Sequence, residues 1–401
     1  MHRILYVEDA PTVGGSAVCL EELVRGLDRS RFEPFVLFAY DLAARRALTT
    51  ARISNATTAM IGGGKPEPVS VEEDQHGVPG YKLRGLYHLL WSIKSYACIE
   101  RHRIAMLAPW IAREGFALVH ANNSCTANLA ALVAASRAGV PAVSHQRGFS
   151  RTTAFQRFAT RSVRRFICIS RSIAEHYLAE GLPRNKVITV YDGIDVQSLR
   201  PRSREKRDRA VIAWAGRLVS WKGASILVEA AERLLERGAN VDFVIAGTGP
   251  ELSGLREKIE RTPLLRDRLR LVGFRTDVRD LIAGCDIFVN TSIEPEPFGH
   301  SALEALAFGI PVVASDCGGL PEMVQHGGNG FLFEPGDAGA LAEALSKLID
   351  DGDLRARFGI ESRRRAERLF SLENHIRAIE AVYKEAIECP GTKRVERATK
   401  P

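Results

Sequence analysis

Short apolar runs rich in Val, Ile, Leu and Ala recur along the chain, each followed by a stretch of helical period, and the whole series is written twice. Runs that are apolar throughout suit strands buried on both faces, as in parallel sheets, and the helical stretches supply the crossovers such sheets need. In the first half, "RILYVED" carries a buried strand from Ile4 to Val7 and leads through Gly14 and Gly15 into a helix ending near Leu27. "FEPFVLFAY", "ALVHANN", "PAVSHQ", "RFICIS" and "VITVYDGID" continue the strands, with the helix "RSIAEHYLAEG" between the last two. The second half restarts with "AVIAWAGRL", helix 223–237, "VDFVIAGTG", helix 250–261, "LRLVGF", helix 276–283, "CDIFVNTS", helix 300–308, "PVVASD" and a helical stretch from about 337. The expected fold class is α/β: two Rossmann-like domains whose parallel sheets face a central cleft.

The length of 401 residues suits two cores. "RPRSREKRDR", residues 200–209, has no apolar residue except Pro201 and marks the break. The reading places a first domain over 1–190, a linker over 191–209, a second domain over 210–370 and a last helix over 371–401. Residues 62–82 read as a mobile loop, and the stretch that follows, to about 115, as one or two amphipathic helices. No apolar run approaches the roughly 20 residues needed to cross a bilayer. The opening "MHRILYVEDA" turns acidic too soon for a signal peptide. The seven cysteines are scattered and form no C-x-x-C pair, which fits reduced thiols in the cytosol and argues against a disulfide framework or a zinc site. The expected location is cytoplasmic, or peripheral on the inner face of a membrane.

Net charge is +7, and seven arginines fall between Arg147 and Arg171 with no Asp or Glu among them. Two readings stand: a solvated helix face, or a surface for anionic lipid or a phosphorylated acceptor. No nucleic-acid-binding motif interleaves the run, so nucleic acid is not expected as a partner.

The polar residues cluster where the strands end, and in parallel sheets that is where ligands bind. In "AWAGRLVSWKG", Arg217 follows the strand and Lys222 precedes the next helix. A forked donor and a compact cation there suit a diphosphate leaving group, on which charge builds as its bond breaks. Two surface cations near a turn would look the same in isolation. Gly247 and Gly249 in "IAGTGPE", and Gly273 and Phe274 in "LVGF", permit close approach to a ligand or make a tight turn. "SIEPEPFGHSALEA" is more specific: a stiff proline loop runs into a helix whose first amides, at Gly299, His300 and Ser301, form an anion site. Glu296 lies in the loop and Glu304 about one turn inside the helix, so the carboxylates flank that site. Glu304 is placed to accept hydrogen bonds from a vicinal diol such as ribose. Gly14 and Gly15 also precede a helix, but without a G-x-G-x-x-G fingerprint. His120 and His145 end neighbouring strands, either as satisfied structural residues or as site residues. Neither has metal-ligand spacing, so no metal is expected.

As a set, "AGRLVSWKG", "IAGTGPE", "LVGF", "EPFGHSALEALAFGIPVVASDCGGLPEMV" and "NGFLFEPGD" resemble the retaining nucleotide-sugar glycosyltransferases of family 4, with the GT-B architecture. "GGSAVCLEEL", "LVHANN", "VSHQRG" and "YDGID" match more loosely. The resemblance implies that the first domain binds acceptor and the second the donor, with the last helix crossing back to the first. It implies that Glu304 binds the donor ribose, that Glu296 contacts the transferred sugar near its reacting carbon, and that Arg217 and Lys222 hold the diphosphate. Phe298, Gly299, His300 and Ser301 would present backbone groups to sugar and phosphate. His145 matches a histidine near the sugar, and Gly14 and Gly15 the first glycine loop. It also implies retention of anomeric configuration without an obligatory metal or other cofactor. Two positions depart from the usual pattern: Asp192 stands where Asn is common, and His300 where an apolar residue is frequent. Glu294 competes with Glu296 for the first-glutamate role, but only Glu296 is followed by Pro-Phe-Gly.

The expected function is transfer of a sugar from a nucleoside diphosphate to a hydroxyl of a sugar, lipid-linked or other acceptor, in polysaccharide, glycolipid or glycoconjugate synthesis. The rivals are a nucleotide-sugar epimerase on the same scaffold and a catalytically silent nucleotide-sugar-binding protein.

Overall fold

The structure is a computed structural model that describes residues 1–8, 15–38, 57–60 (backbone only), 100–201 and 208–388. Gly14, the 62–82 loop and residues 202–207 of the polar stretch lie outside the described residues. The chain forms two compact units. One comprises Met1–Ile169, Ile173–Val190 and His375–Pro401, the other Ser170–Ser172 and Tyr191–Asn374.

The first unit is built on β1 (His2–Glu8), β2 (Phe32–Phe38), β3 (Thr57–Met60), β4 (Leu118–Ala121), β5 (Ala142–Gln146), β6 (Arg165–Cys168) and β7 (Val187–Thr189). They pair in the order β3-β2-β1-β4-β5-β6-β7, every pairing parallel. Ile4, Val36, Leu118, Val143 and Ile167 form the sheet's part of one core. The helix Leu372–Glu388 seals it with Ile379, Val382, Tyr383 and Ala386. Their i, i+3, i+4, i+7 spacing puts all four on one helical stripe. Full burial of residues such as Ile379 and Val382 contributes about 1.5–3 kcal/mol each, which fixes this helix in the unit.

The second unit carries β8 (Ala210–Ala215), β9 (Val241–Ala246), β10 (Leu269–Gly273), β11 (Ile287–Asn290), β12 (Val312–Ser315) and β13 (Gly330–Phe333). Their order is β10-β9-β8-β11-β12-β13, again parallel throughout. Helix Ala224–Glu236 turns Leu227, Val228, Ala231 and Leu234 onto Ile212, Phe243 and Ile245.

The 191–209 linker differs from expectation. Residues 191–200 are part of the second unit, because Ile194, Val196 and Leu199 are buried in it. Ile194 pairs through its N–H with Phe370 O and through its carbonyl with the Leu372 N–H, both at 2.9 Å. Apolar anchors spaced along "YDGIDVQSL" hold it down.

In each sheet the strand order reverses once, between β1 and β4 and between β8 and β11. A crevice opens at the carboxyl ends of the strands at such a point, and ligands bind there. The topology therefore selects the residues after β8 and β11 in the second unit, and those after β1 and β4 in the first.

Candidate functional site

In the second unit, β8 ends at Ala215 and the chain turns through Gly216 and Arg217 into a short 3-10 turn, Ser220–Lys222. β11 ends at Asn290 and runs on through Thr291 and Ser292. Thr291 ties the two turns together: its hydroxyl accepts from Trp214 Nε1 at 2.9 Å and donates to Lys222 O at 3.0 Å. The Ile293 N–H donates to Trp221 O at 2.7 Å. The backbone under Lys222 is thus fixed to the loop that carries Glu296.

Lys222 Nζ forms an ion pair with Glu296 Oε2, and Ser292 Oγ donates to the same oxygen at 2.7 Å. Both partners are largely removed from water, with side chains 18% and 8% exposed. A carboxylate so placed needs such partners to stay charged. Lys222 Nζ also lies 4.4 Å from the centre of the Trp221 ring, a cation–π contact that helps hold the ammonium in place. Glu294 is exposed, whereas Glu296 is buried. The loop Asp316–Gly319 packs beneath Glu296: the Gly319 N–H donates to Glu296 O at 2.7 Å. Gly318 has φ +60°, and a Cβ there would collide with the Glu296 backbone, so that position requires glycine. Cys317, next to it, has its thiol raised above the ordinary value, chiefly by burial.

A cavity of about 330 Å3 lies beside these turns, lined by Gly216, Arg217, Gly247, Phe274, Ser301 and Glu304 among others. Gly247 donates its N–H to Gly273 O at 2.8 Å, which sets the two glycine turns side by side. Phe274 is 75% exposed. A flat apolar ring held in water beside a cavity is a ready stacking surface for a planar ligand. Helix His300–Ala307 begins here with Gly299 at its N-cap, and no side chain caps its first amides. Glu304 is paired with Arg279 at 2.7 Å.

The structure therefore brings Arg217, Gly247, Phe274, Ser301 and Glu304 to one cavity and joins Lys222 to Glu296. Gly249 and Gly273 shape the turns, and Gly249 lies against the Leu218 backbone. Phe298 is buried, its ring stacked 6.0 Å from Tyr191. Sequence reasoning passed over Arg279 and Thr291, and marked Ser292 only as a polar residue at a strand end. For Thr291 and Ser292 the signal is the strand end itself, where polar residues follow an apolar run; Arg279 lies within the helix Val278–Ala283 and carries no such signal.

His145 and Gly15 belong to the first unit, Gly15 opening the helix Gly15–Gly26. His145 is fully buried at the end of β5, with its ring 5.3 Å from His120 and 6.2 Å from His375. Arg147 Nη2 lies 3.4 Å from His145 Nδ1. A guanidinium only donates, so Nδ1 accepts and the imidazole proton sits on Nε2. Arg147 also donates to Asn122 O at 2.9 Å, and Asn122 and Asn123 donate in turn to the buried Glu8 carboxylate. Glu8, Asn122 and Asn123 stand at the switch between β1 and β4, and sequence reasoning passed over them too. The arginine run is partly structural: Arg157 donates to Thr152 O at 2.6 Å and Arg165 pairs with Glu385.

Residues 195–365 match the family described as "Glycosyl transferases group 1", and residues 13–198 match "Glycosyltransferase Family 4". The chain is 33% identical over 168 residues to the alpha-D-kanosaminyltransferase of Streptomyces kanamyceticus, covering 41% of this chain and 43% of that one. It is 28% identical over 264 residues to the UDP-Gal:alpha-D-GlcNAc-diphosphoundecaprenol alpha-1,3-galactosyltransferase of Escherichia coli, covering 60% of this chain and 68% of that one. Its fold is similar to that of Anabaena HepE, solved in complex with UDP, with a TM-score of 0.75 and 23% identity over 96% of this chain and all of that one.

Proposed function

Because the chain belongs to the family 4 glycosyltransferases, with the GT-B fold, we propose that it moves a sugar from a nucleoside diphosphate to an acceptor hydroxyl, with retention of configuration and without a metal. The observation that carries this reading is the cavity at the β8/β11 switch, with Arg217, Ser301 and Glu304 in its wall and the Lys222–Glu296 pair close by in the fold.

The nucleobase would stack near Phe274. The ribose diol would bind Glu304 while Arg279 keeps its own bond, since one carboxylate accepts several hydrogen bonds. The diphosphate would take the uncapped amides at Gly299, His300 and Ser301, with Arg217 and Lys222 supplying positive charge. An ammonium has three donors, so Lys222 can hold Glu296 and a phosphate oxygen together. Those cations do the work a metal would do on the leaving group. Glu296 then stands where positive charge develops on the transferred sugar. The galactosyltransferase and kanosaminyltransferase relatives support a sugar or lipid-linked acceptor, in glycan or glycolipid synthesis.

Melting the protein with a panel of UDP-, GDP- and ADP-sugars tests the reading. One donor should stabilise by mass action and be hydrolysed slowly without acceptor. No stabilisation and no hydrolysis by any of them would refute it.

A further inference from the structure

The two positions at which the sequence departs from the family pattern touch each other. His300 Nε2 lies 3.1 Å from Asp192 Oδ2, with the imidazole 40% exposed and the carboxylate 1% exposed. The backbone beyond Asp192 is held, because two residues on Ile194 is bonded on both sides to Phe370 and Leu372. The imidazole in turn stands edge-on to the buried Phe298, their ring centres 5.8 Å apart. Both residues belong to the second unit.

Their place gives the pair a consequence. His300 is the first residue of the helix whose uncapped amides form the proposed phosphate site. A carboxylate within reach of that residue's side chain is drawn to the same positive helix end that an incoming diphosphate needs. Alone, it would repel the ligand across a region of low dielectric. A protonated imidazole paired with that carboxylate offsets the repulsion and leaves a cation at the helix end. Asparagine with an apolar residue poses no such conflict; aspartate with an apolar residue does.

We propose that Asp192 and His300 act as one charge-matched unit of the donor site, in which His300 is a further diphosphate-binding side chain and Asp192 its positioning residue. This rests on the transferase reading above and names a further determinant of the same site.

The test measures, by calorimetry, the affinity of the full chain for UDP, GDP and ADP, for the matching nucleoside, and for inorganic pyrophosphate. His300→Leu should weaken the preferred nucleoside diphosphate and pyrophosphate about a hundredfold and leave the nucleoside within threefold. Asp192→Asn in the His300→Leu background should restore at least tenfold of that loss. Should His300→Leu fold poorly, Asp192→Asn alone still decides: it should weaken the diphosphate by about three- to tenfold and spare the nucleoside. Equal losses for nucleoside and diphosphate, or no rescue by Asp192→Asn, would overturn the pairing while leaving the transferase reading intact. Failure of the unaltered protein to bind any of the three diphosphates would overturn both.

Discussion

Lys222 and Glu296, 74 residues apart in sequence, form an ion pair at the point where the second sheet reverses its strand order. In the proposed reaction Lys222 serves the diphosphate and Glu296 the sugar, so their pairing would couple leaving-group departure to stabilisation of the sugar.

Lys222→Ala removes a cation from the leaving group and leaves Glu296 buried with Ser292 as its remaining bonded partner in that cluster. Turnover should fall by about 10²–10³, the scale of losing one preorganised electrostatic group. Nucleoside affinity, assigned in the proposed site to the Phe274 and Glu304 end of the cavity, should change less than threefold. Steady-state kinetics beside nucleoside titration separates the two, and unchanged turnover removes Lys222 from the leaving-group role.

Much of this site is legible in the sequence. Strand runs such as "AVIAWA" and "VDFVIA" are apolar at nearly every position, so parallel pairing follows from burial on both faces. The helix after Gly299 is legible from its proline loop and its glycine. The helix Leu129–Ala138 is not, because it is buried along most of its surface and shows little periodicity. Strand β3 is missed for another reason: its sequence, "TTAM", is half polar and offers no apolar run. The Lys222–Glu296, Arg279–Glu304 and Asp192–His300 pairs lie beyond reach for a plainer reason. Each joins distant segments, and sequence spacing carries no information about which strand ends become neighbours.

Glu304→Ala should abolish discrimination between a ribonucleoside diphosphate and its 2′-deoxy analogue, from about tenfold or more to near one. A hydrogen bond to a charged group contributes about 1.5–3 kcal/mol. Arg279→Ala should keep the discrimination, because the guanidinium orients the carboxylate without itself reading the diol. Paired titrations with both nucleotides check this. Retained discrimination in Glu304→Ala would place the diol elsewhere.

Gly318→Ala inserts a Cβ against the Glu296 backbone at φ +60°. Strain of this kind costs about 1–3 kcal/mol, so the melting transition of the second unit should fall by roughly 2–12 °C. Activity should drop beyond what instability explains, because the Glu296 loop has to move. A melting curve and a turnover measurement well below the transition suffice, and normal values for both would contradict the packing.

The surface arginines offer a separate test of lipid binding. Arg161 lies 3.9 Å from the centre of the Phe158 ring, and Phe158 is 63% exposed. An exposed aromatic beside a cation suits a membrane interface. Replacing Arg151, Arg161 and Arg164 by Gln spares the structural Arg147, Arg157 and Arg165. At about 1 kcal/mol per basic residue, association with vesicles containing anionic lipid should fall at least tenfold. Unchanged sedimentation would identify the run as a solvated face.

His120 makes the protein's stability depend on acid in a defined window. Burial, with smaller contributions from Arg147 and His375, lowers its pKa from the ordinary 6.5 to about 3. Its Nδ1 is bonded to the Tyr383 hydroxyl, which also donates to Tyr6 at 3.0 Å. In the folded protein the imidazole stays neutral down to about pH 3, whereas in the unfolded chain it takes a proton near 6.5. The unfolded state thus binds more protons between those values. The stability that neutral burial confers is whole above pH 6.5 and is lost as pH falls toward 3. From pH 6.5 to 5 alone this amounts to about 2 kcal/mol. Urea unfolding at both pH values should register that loss in the native protein, and His120→Gln should remove most of it. An equal pH slope in His120→Gln would assign the acid sensitivity to other groups.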